Sequence, residues 1–261
     1  MITCLIVIIF LLGLCVGSFL NSVIYRLKTE ESILISRSHC PYCQHLLGFW
    51  DLIPLFSFIF LRGRCRYCKK RISWQYPLVE LASGILFVLF SLKILSFELS
   101  ALFFQLSKLI LPLFFVSLLI IIFVYDLKWS LIPDKIVWLG ITIALLALFF
   151  QFPRLFSHLL AGGLAGGFFL LMVLVSGEKW MGWGDVKLGL LMGLILGWPD
   201  VLIALFLSFI FGALVGITLV LAKKKTLKSQ IPFGPFLSGA TIIVLLVGKE
   251  LLNWYFGLLG I

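Results

Sequence analysis

Two aspartates and four cysteines are the residues whose types and spacing suit chemistry. Asp126 lies in Val124-Tyr125-Asp126-Leu127-Lys128, and Asp185 in Met181-Gly182-Trp183-Gly184-Asp185-Val186-Lys187-Leu188; each is a short polar gap beside long apolar runs. A carboxylate at a helix centre in the membrane costs roughly 2.5–3.5 kcal/mol on insertion scales. Two in similar settings point to one acid/base site that cuts something inside or beside the membrane. Two close carboxyls share a proton. The ionised one then takes a proton from water, which attacks a scissile carbonyl, while the protonated one polarises that carbonyl and later protonates the leaving amine. The competing structural reading pairs each aspartate with a neighbouring lysine, Lys128 or Lys187, at a helix end. Asp134, which follows Ile132-Pro133, has helix N-capping as its default role and is the runner-up for chemistry. Asp51 and Asp200 read as surface or cap residues. The histidines offer no Ser/His/Asp set, because His39 and His45 lie in the cysteine loop and His158 is expected on the outer side.

The cysteines form two Cys-x-x-Cys pairs, Cys40-Pro41-Tyr42-Cys43 and Cys65-Arg66-Tyr67-Cys68, in a polar segment of residues 26–76. Their separation is close to that of four-thiolate zinc sites, in which each pair clips one side of a tetrahedral ion. Arg64, Arg66, Lys69 and Lys70 favour the thiolates and offset their charge. Disulfides are the alternative, disfavoured in a reducing compartment. A loop of this length with few aliphatic residues needs such a staple. It serves either to hold a substrate or to pin the spans around the site. Cys4 and Cys15 lie in the first apolar run and read as packing residues.

The elements that position these residues are membrane helices. Of 261 residues, 62% are hydrophobic and only 12% charged, against about 25% charged in soluble domains. A span needs about 20 apolar residues. The expected fold is all-α and polytopic, with about eight spans near 1–25, 77–95, 101–125, 135–152, 157–176, 186–198, 200–222 and 234–257. The sixth is short and glycine-rich, and is expected to be broken or buried among other helices. The organisation expected is a first transmembrane helix (1–25), a four-cysteine loop (26–76) and a transmembrane core (77–261). The first span has no basic residue before it, and Arg26 and Lys28 follow it, which reads as an uncleaved anchor with its N-terminus outside. In that orientation all Lys and Arg except Lys93, Lys108, Arg154 and Lys249 fall on the inner side; Lys223, Lys224, Lys225 and Lys228 are among the inner set. Both termini are then outside, with Asp126 and Asp185 at the cytoplasmic face. The net charge of +10 is topology signal with some attraction to anionic membrane lipid, and calls for no nucleic acid.

Taken together, the motifs resemble the type IV prepilin peptidases, polytopic aspartic proteases of the bacterial cytoplasmic membrane. The resemblance covers nearly the whole chain. Gly17-Ser18-Phe19-Leu20-Asn21-Ser22-Val23-Ile24-Tyr25-Arg26 comes first, then the cysteine loop, Tyr76-Pro77-Leu78-Val79-Glu80-Leu81, Asp126 to Asp134, Gly182-Trp183-Gly184-Asp185, and finally Pro232-Phe233-Gly234-Pro235-Phe236. The resemblance implies a catalytic pair at Asp126 and Asp185, and prepilins or pseudopilins as substrates, cut after a short leader. It also implies N-methylation of the new terminus from S-adenosylmethionine. The Tyr-Asp and Gly-x-Gly-Asp pairing is similar to the wider intramembrane aspartic proteases, presenilin-like enzymes included. Gly17, Asn21 and Arg26 match the signature tied to methylation. Each also has a structural reading: a packing contact, an interhelix hydrogen bond and a topology anchor. Glu80 is expected to pair with Arg26 or another cation, and the Pro232–Pro235 stretch to shape a bent, strand-like groove near the aspartates. Two other classes compete: a transporter or proton channel with embedded acids, and a non-catalytic zinc scaffold of a secretion machine.

Overall fold

A computed structural model describes residues 2–33, 35–95, 102–223 and 231–259. Lys224, Lys225 and Lys228 of the basic inner set lie outside the described residues. Nine α-helices occur among the described residues, with no strand longer than an isolated bridge. They are α1 (Ile2–Thr29), α2 (Phe56–Phe60), α3 (Gln75–Ile94), α4 (Leu102–Trp129), α5 (Asp134–Phe149), α6 (Phe152–Ser176), α7 (Trp183–Leu196), α8 (Asp200–Leu221) and α9 (Gly234–Leu259). All eight expected apolar helices are present, and α2 is an addition within the cysteine loop.

The expected count of eight spans is not confirmed by helix length. Among the described residues six helices (α1, α3, α4, α6, α8 and α9) are long and apolar enough to cross a membrane. Helices α5 and α7 have only 16 and 14 residues, or about 24 and 21 Å at 1.5 Å per residue. Apolar periodicity locates a helix without setting where its ends fall. At α7 the capping geometry of Gly182 and the turn at Gly197 cut it short.

The chain divides into two compact units, Met1–Ile121 and Ile122–Ile261, with the boundary inside α4. In the first, α1 packs on α3. Their backbones approach closely, since a Cβ on Gly17 would stand 2.7 Å from the Glu80 Cα. Small residues at such a crossing are how membrane helices gain contact where burial from water supplies no drive. Cys4 and Cys15 do not pack there: both face outward from α1. In the second unit α7 is central, touching α5, α6, α8 and α9, and Leu188, Leu191 and Met192 are fully buried. The expectation of a short, buried, glycine-rich helix holds.

Gly193 allows the α6–α7 crossing. A Cβ there would lie 2.4 Å from the Ala161 carbonyl carbon, a backbone atom that no side-chain rotation can clear. Gly193→Ala should therefore lower stability by about 1–3 kcal/mol, the usual cost of overpacking. The check is thermal unfolding of the detergent-solubilised chain, where an unchanged Tm would mean that the crossing is looser than described.

Candidate functional site

Asp126 sits in the last turn of α4 and Asp185 in the first turn of α7. Both are buried, at 4% and 9% exposure. The backbone N–H of Gly182, the N-cap residue of α7, donates to Asp185 Oδ2 at 3.1 Å. This accounts for part of the Gly-Trp-Gly-Asp motif: the helix begins where a carboxylate can accept its own cap. Asp126 lies against Gly234, the first residue of α9. A Cβ on Gly234 would stand 2.6 Å from Asp126 Oδ2.

Ile132 joins the two halves of the site. Its Cδ1 would lie 3.2 Å from a Cβ on Gly234 and 3.2 Å from one on Gly184, the residue before Asp185. The ends of α4, α7 and α9 thus converge around one isoleucine, and the two carboxyl groups lie within electrostatic range of each other. The Pro232–Pro235 stretch does border Asp126 as expected. It is not strand-like, however, because it turns directly into α9 at Gly234.

The lysines do not neutralise this pair. Lys187 Nζ reaches Asp134 Oδ1 at 2.8 Å instead of Asp185, and Lys128 Nζ lies 5.4 Å from the centre of the Trp129 ring. Asp134 is not an N-cap either: Pro133 holds that position, and Asp134 is the first helical residue, exposed and salt-bridged. Two buried carboxyls beside one isoleucine, neither paired with its neighbouring lysine, are groups suited to acid/base chemistry.

The four cysteines also come together. The Sγ atoms of Cys40, Cys43, Cys65 and Cys68 all lie within 4.8 Å of one another. Cys40 and Cys68 are 3.8 Å apart, the separation that a tetrahedral ion with metal–sulfur bonds of about 2.3 Å imposes. The two halves repeat one turn. Cys40 N–H donates to His45 O and Gln44 N–H to Cys40 O; Cys65 N–H donates to Lys70 O and Lys69 N–H to Cys65 O. Gln44 and Lys69 share a left-handed φ of 59° and 61°. Burial opposes ionisation of Cys40, but backbone hydrogen bonds from Cys43 and Tyr42 and thiol contacts with Cys43 and Cys65 bring its pKa down to about 7. The cluster can hold a metal ion. Asp51, expected to be a surface or cap residue, caps the short turn at Phe49–Asp51 within this loop. Its buried carboxylate is ion-paired with Arg66, Nε to Oδ1 at 2.7 Å, and its Oδ2 accepts from Gly48 N–H at 3.1 Å and the Tyr67 hydroxyl at 3.3 Å.

Residues 11–94 match the bacterial peptidase A24 N-terminal domain, and residues 113–217 match the type IV leader peptidase family. A protein of Bacillus subtilis (strain 168) is 33% identical over 255 residues, covering 95% of this chain and 96% of its own. The chain belongs to the type IV leader peptidase family. A relative from Aeromonas hydrophila is 34% identical over 277 residues, covering 95% of this chain and 92% of its own, and one from Pseudomonas putida is 33% identical over 277 residues, covering 95% and 93%. All three relatives are named prepilin leader peptidase/N-methyltransferase. No solved structure matches the chain.

Within the family's leader-peptidase segment lie both Asp126 and Asp185, and within its N-terminal segment lie the four cysteines with Gly17, Asn21 and Arg26. Those last three are engaged along the α1–α3 side. Asn21 Nδ2 donates to Tyr76 O and its Oδ1 accepts from Gln75 Nε2, both at 3.0 Å. The Arg26 guanidinium donates to Ile33 O. Glu80 does not pair with Arg26: its Oε2 accepts the Leu55 N–H at 2.8 Å. Sequence reasoning missed the close approach of Gly234 to Asp126, the bridging role of Ile132 and the Asp51–Arg66 ion pair. Only Gly234 had a readable signal, in Pro-Phe-Gly-Pro-Phe.

Proposed function

We propose that this chain is a multi-pass membrane protease that removes the leader from type IV prepilins or pseudopilins, with Asp126 and Asp185 as the catalytic pair. The observation that carries this reading is the two buried carboxyls where the ends of α4, α7 and α9 converge, neither salt-bridged to the lysine two residues on. One carboxylate takes a proton from the attacking water while the other carboxyl donates its proton to the carbonyl oxygen; as the tetrahedral intermediate collapses, its hydroxyl returns that proton to the second carboxylate and the first passes the water's proton to the departing amine. The names of the relatives support a second activity, methylation of the new amino terminus. S-adenosylmethionine would supply the electrophilic methyl group, and Gly17, Asn21 and Arg26 are the residues proposed to form its site. Co-expression with a prepilin, followed by mass spectrometry of the pilin N-terminus, reads both activities at once. An intact leader would sink the protease reading, and an unmethylated new terminus would sink the second.

The proposed setting is the bacterial cytoplasmic membrane, with both termini outside and the aspartates at the cytoplasmic face. The distribution of Lys and Arg supports this. The proposed organisation is a first helix (1–25), a cytoplasmic four-cysteine loop (26–76) and a peptidase core (77–261).

The metal proposed for Cys40, Cys43, Cys65 and Cys68 is one structural zinc ion per chain. Four sulfurs in two matched turns suit zinc, and the ion has no assigned part in bond cleavage. Elemental analysis of protein purified without added metal should give about one zinc per chain. Chelation should free four thiols to titration and lower the Tm. A ratio near zero with freely titratable thiols would rule the site out.

A further inference from the structure

Between the two cysteine turns runs α2, whose side chains divide by face. Phe58 turns inward, its ring centre 5.0 Å from that of Trp74 and its edge 3.1 Å from where a Cβ on Gly63 would stand. Phe56, Ile59 and Phe60, at i, i+3 and i+4, share the opposite face and are 53%, 68% and 81% exposed. A stripe of large apolar residues turned outward needs a covering surface.

Glu80 sets the height of that stripe. Its carboxylate, buried on α3, accepts the N–H of Leu55, the residue preceding α2, at 2.8 Å. α3 begins at Gln75 and is long and apolar enough to cross a membrane. Glu80 therefore lies about 7.5 Å along its axis. Trp74, exposed at the start of α3, is the residue type that settles at headgroup level. The contact with Glu80 thus holds α2 at the bilayer boundary. Beside it opens a pocket of about 470 Å³ lined by Phe60, Leu61, Arg62, Arg64, Cys65 and Lys69. Three cations, no carboxylate and an apolar lip at this depth suit an anionic headgroup whose acyl chains continue onto α2. Guanidinium groups match phosphate oxygens in particular.

We propose that this pocket binds the phosphodiester headgroup of an anionic phospholipid, with Phe56, Ile59 and Phe60 laid against its acyl chains. The cysteine loop is then fastened to the lipid surface as well as to α3. Depth favours lipid over a soluble peptide, since a peptide would have to displace headgroups to reach the stripe.

The test is native mass spectrometry of the purified full-length chain, titrated with phosphatidylglycerol or phosphatidylcholine of matched acyl chains. Phosphatidylglycerol should be retained about tenfold better. Each cation near an anionic surface is worth about fivefold in affinity, so Arg62→Glu, Arg64→Glu and Lys69→Glu together should lower its retention on the order of 100-fold. The Arg62→Lys, Arg64→Lys variant should keep the preference. Equal retention of the two lipids by the native chain overturns the proposal, as does a preference that survives the triple reversal. Competition by glycerol phosphate at the same concentration as the lipid would make the pocket a free-phosphate site, which also overturns it. If the triple variant fails to unfold cooperatively, a photoreactive benzoyl-phenylalanine at Phe60 in phosphatidylglycerol vesicles decides: labelled lipid supports the proposal, and labelled peptide with no lipid adduct overturns it.

Discussion

Asp126→Asn and Asp185→Asn each stop leader cleavage while the chain stays inserted and folded. The expected loss is about 10²–10⁴-fold for each, the contribution of a positioned general acid or base. An amide keeps the shape of the side chain. At position 185 its oxygen can still accept the Gly182 N–H that starts α7. What it cannot do is exchange the proton that the pair passes between water, carbonyl and leaving amine. Asp134→Asn is the internal control. That carboxylate is exposed and salt-bridged to Lys187, so its loss should cost about 1 kcal/mol or less in stability and little activity. Purified protein and a synthetic prepilin segment suffice for the assay. Full processing by either of the first two variants would end the aspartic mechanism, and equal loss at Asp134 would move the site along the same loop.

Gly234→Ala should lower cleavage by on the order of 10²-fold with little change in Tm, because a displacement of about 1 Å at a reacting group costs that much. The added methyl would stand 2.6 Å from Asp126 Oδ2, so the carboxyl must swing out of its present position. Gly234 has no left-handed φ, so the substitution acts through space and not through backbone strain. Cleavage at the native rate would show that Asp126 works in a different rotamer from the one described.

What could be read in advance follows the range of each interaction. Apolar run lengths located all eight long helices, because a membrane helix satisfies its backbone internally and needs only a continuous stretch of suitable residues. The cysteine cluster was legible because its ligands come as two local turns of fixed spacing. Asp126 and Asp185 stood out as charges where charge is costly. The contacts around them did not. Ile132 is an ordinary isoleucine until α7 and α9 both close on it, and the competing pairing of Asp185 with Lys187 rested on nearness in sequence alone. At i and i+2 on a helix they point apart, and Lys187 reaches instead to the start of α5. Asp51 caps its short turn, one of the two roles expected of it; its partner Arg66, across the cysteine turn, was not legible. The shortness of α7 was legible, but its start at Trp183, three residues before the expected 186, was not, because the cap depends on a hydrogen bond and not on composition.

The shortness of α7 bears on where the water for hydrolysis comes from. Fourteen residues reach about 21 Å, while the hydrocarbon slab is about 30 Å thick. The missing 9 Å or so cannot be lipid-exposed irregular chain, since unpaired peptide groups are not stable in hydrocarbon. Because α5, α6, α8 and α9 surround α7, the space beyond its ends is bounded by protein, where irregular chain or a water-filled cavity is tolerated, and the end that carries Gly182 and Asp185 is one of them. An enzyme that splits a peptide beside oil must supply a water molecule at a depth where none is dissolved. Here a helix too short for its membrane would do so by leaving the solvent a way down to the carboxylate.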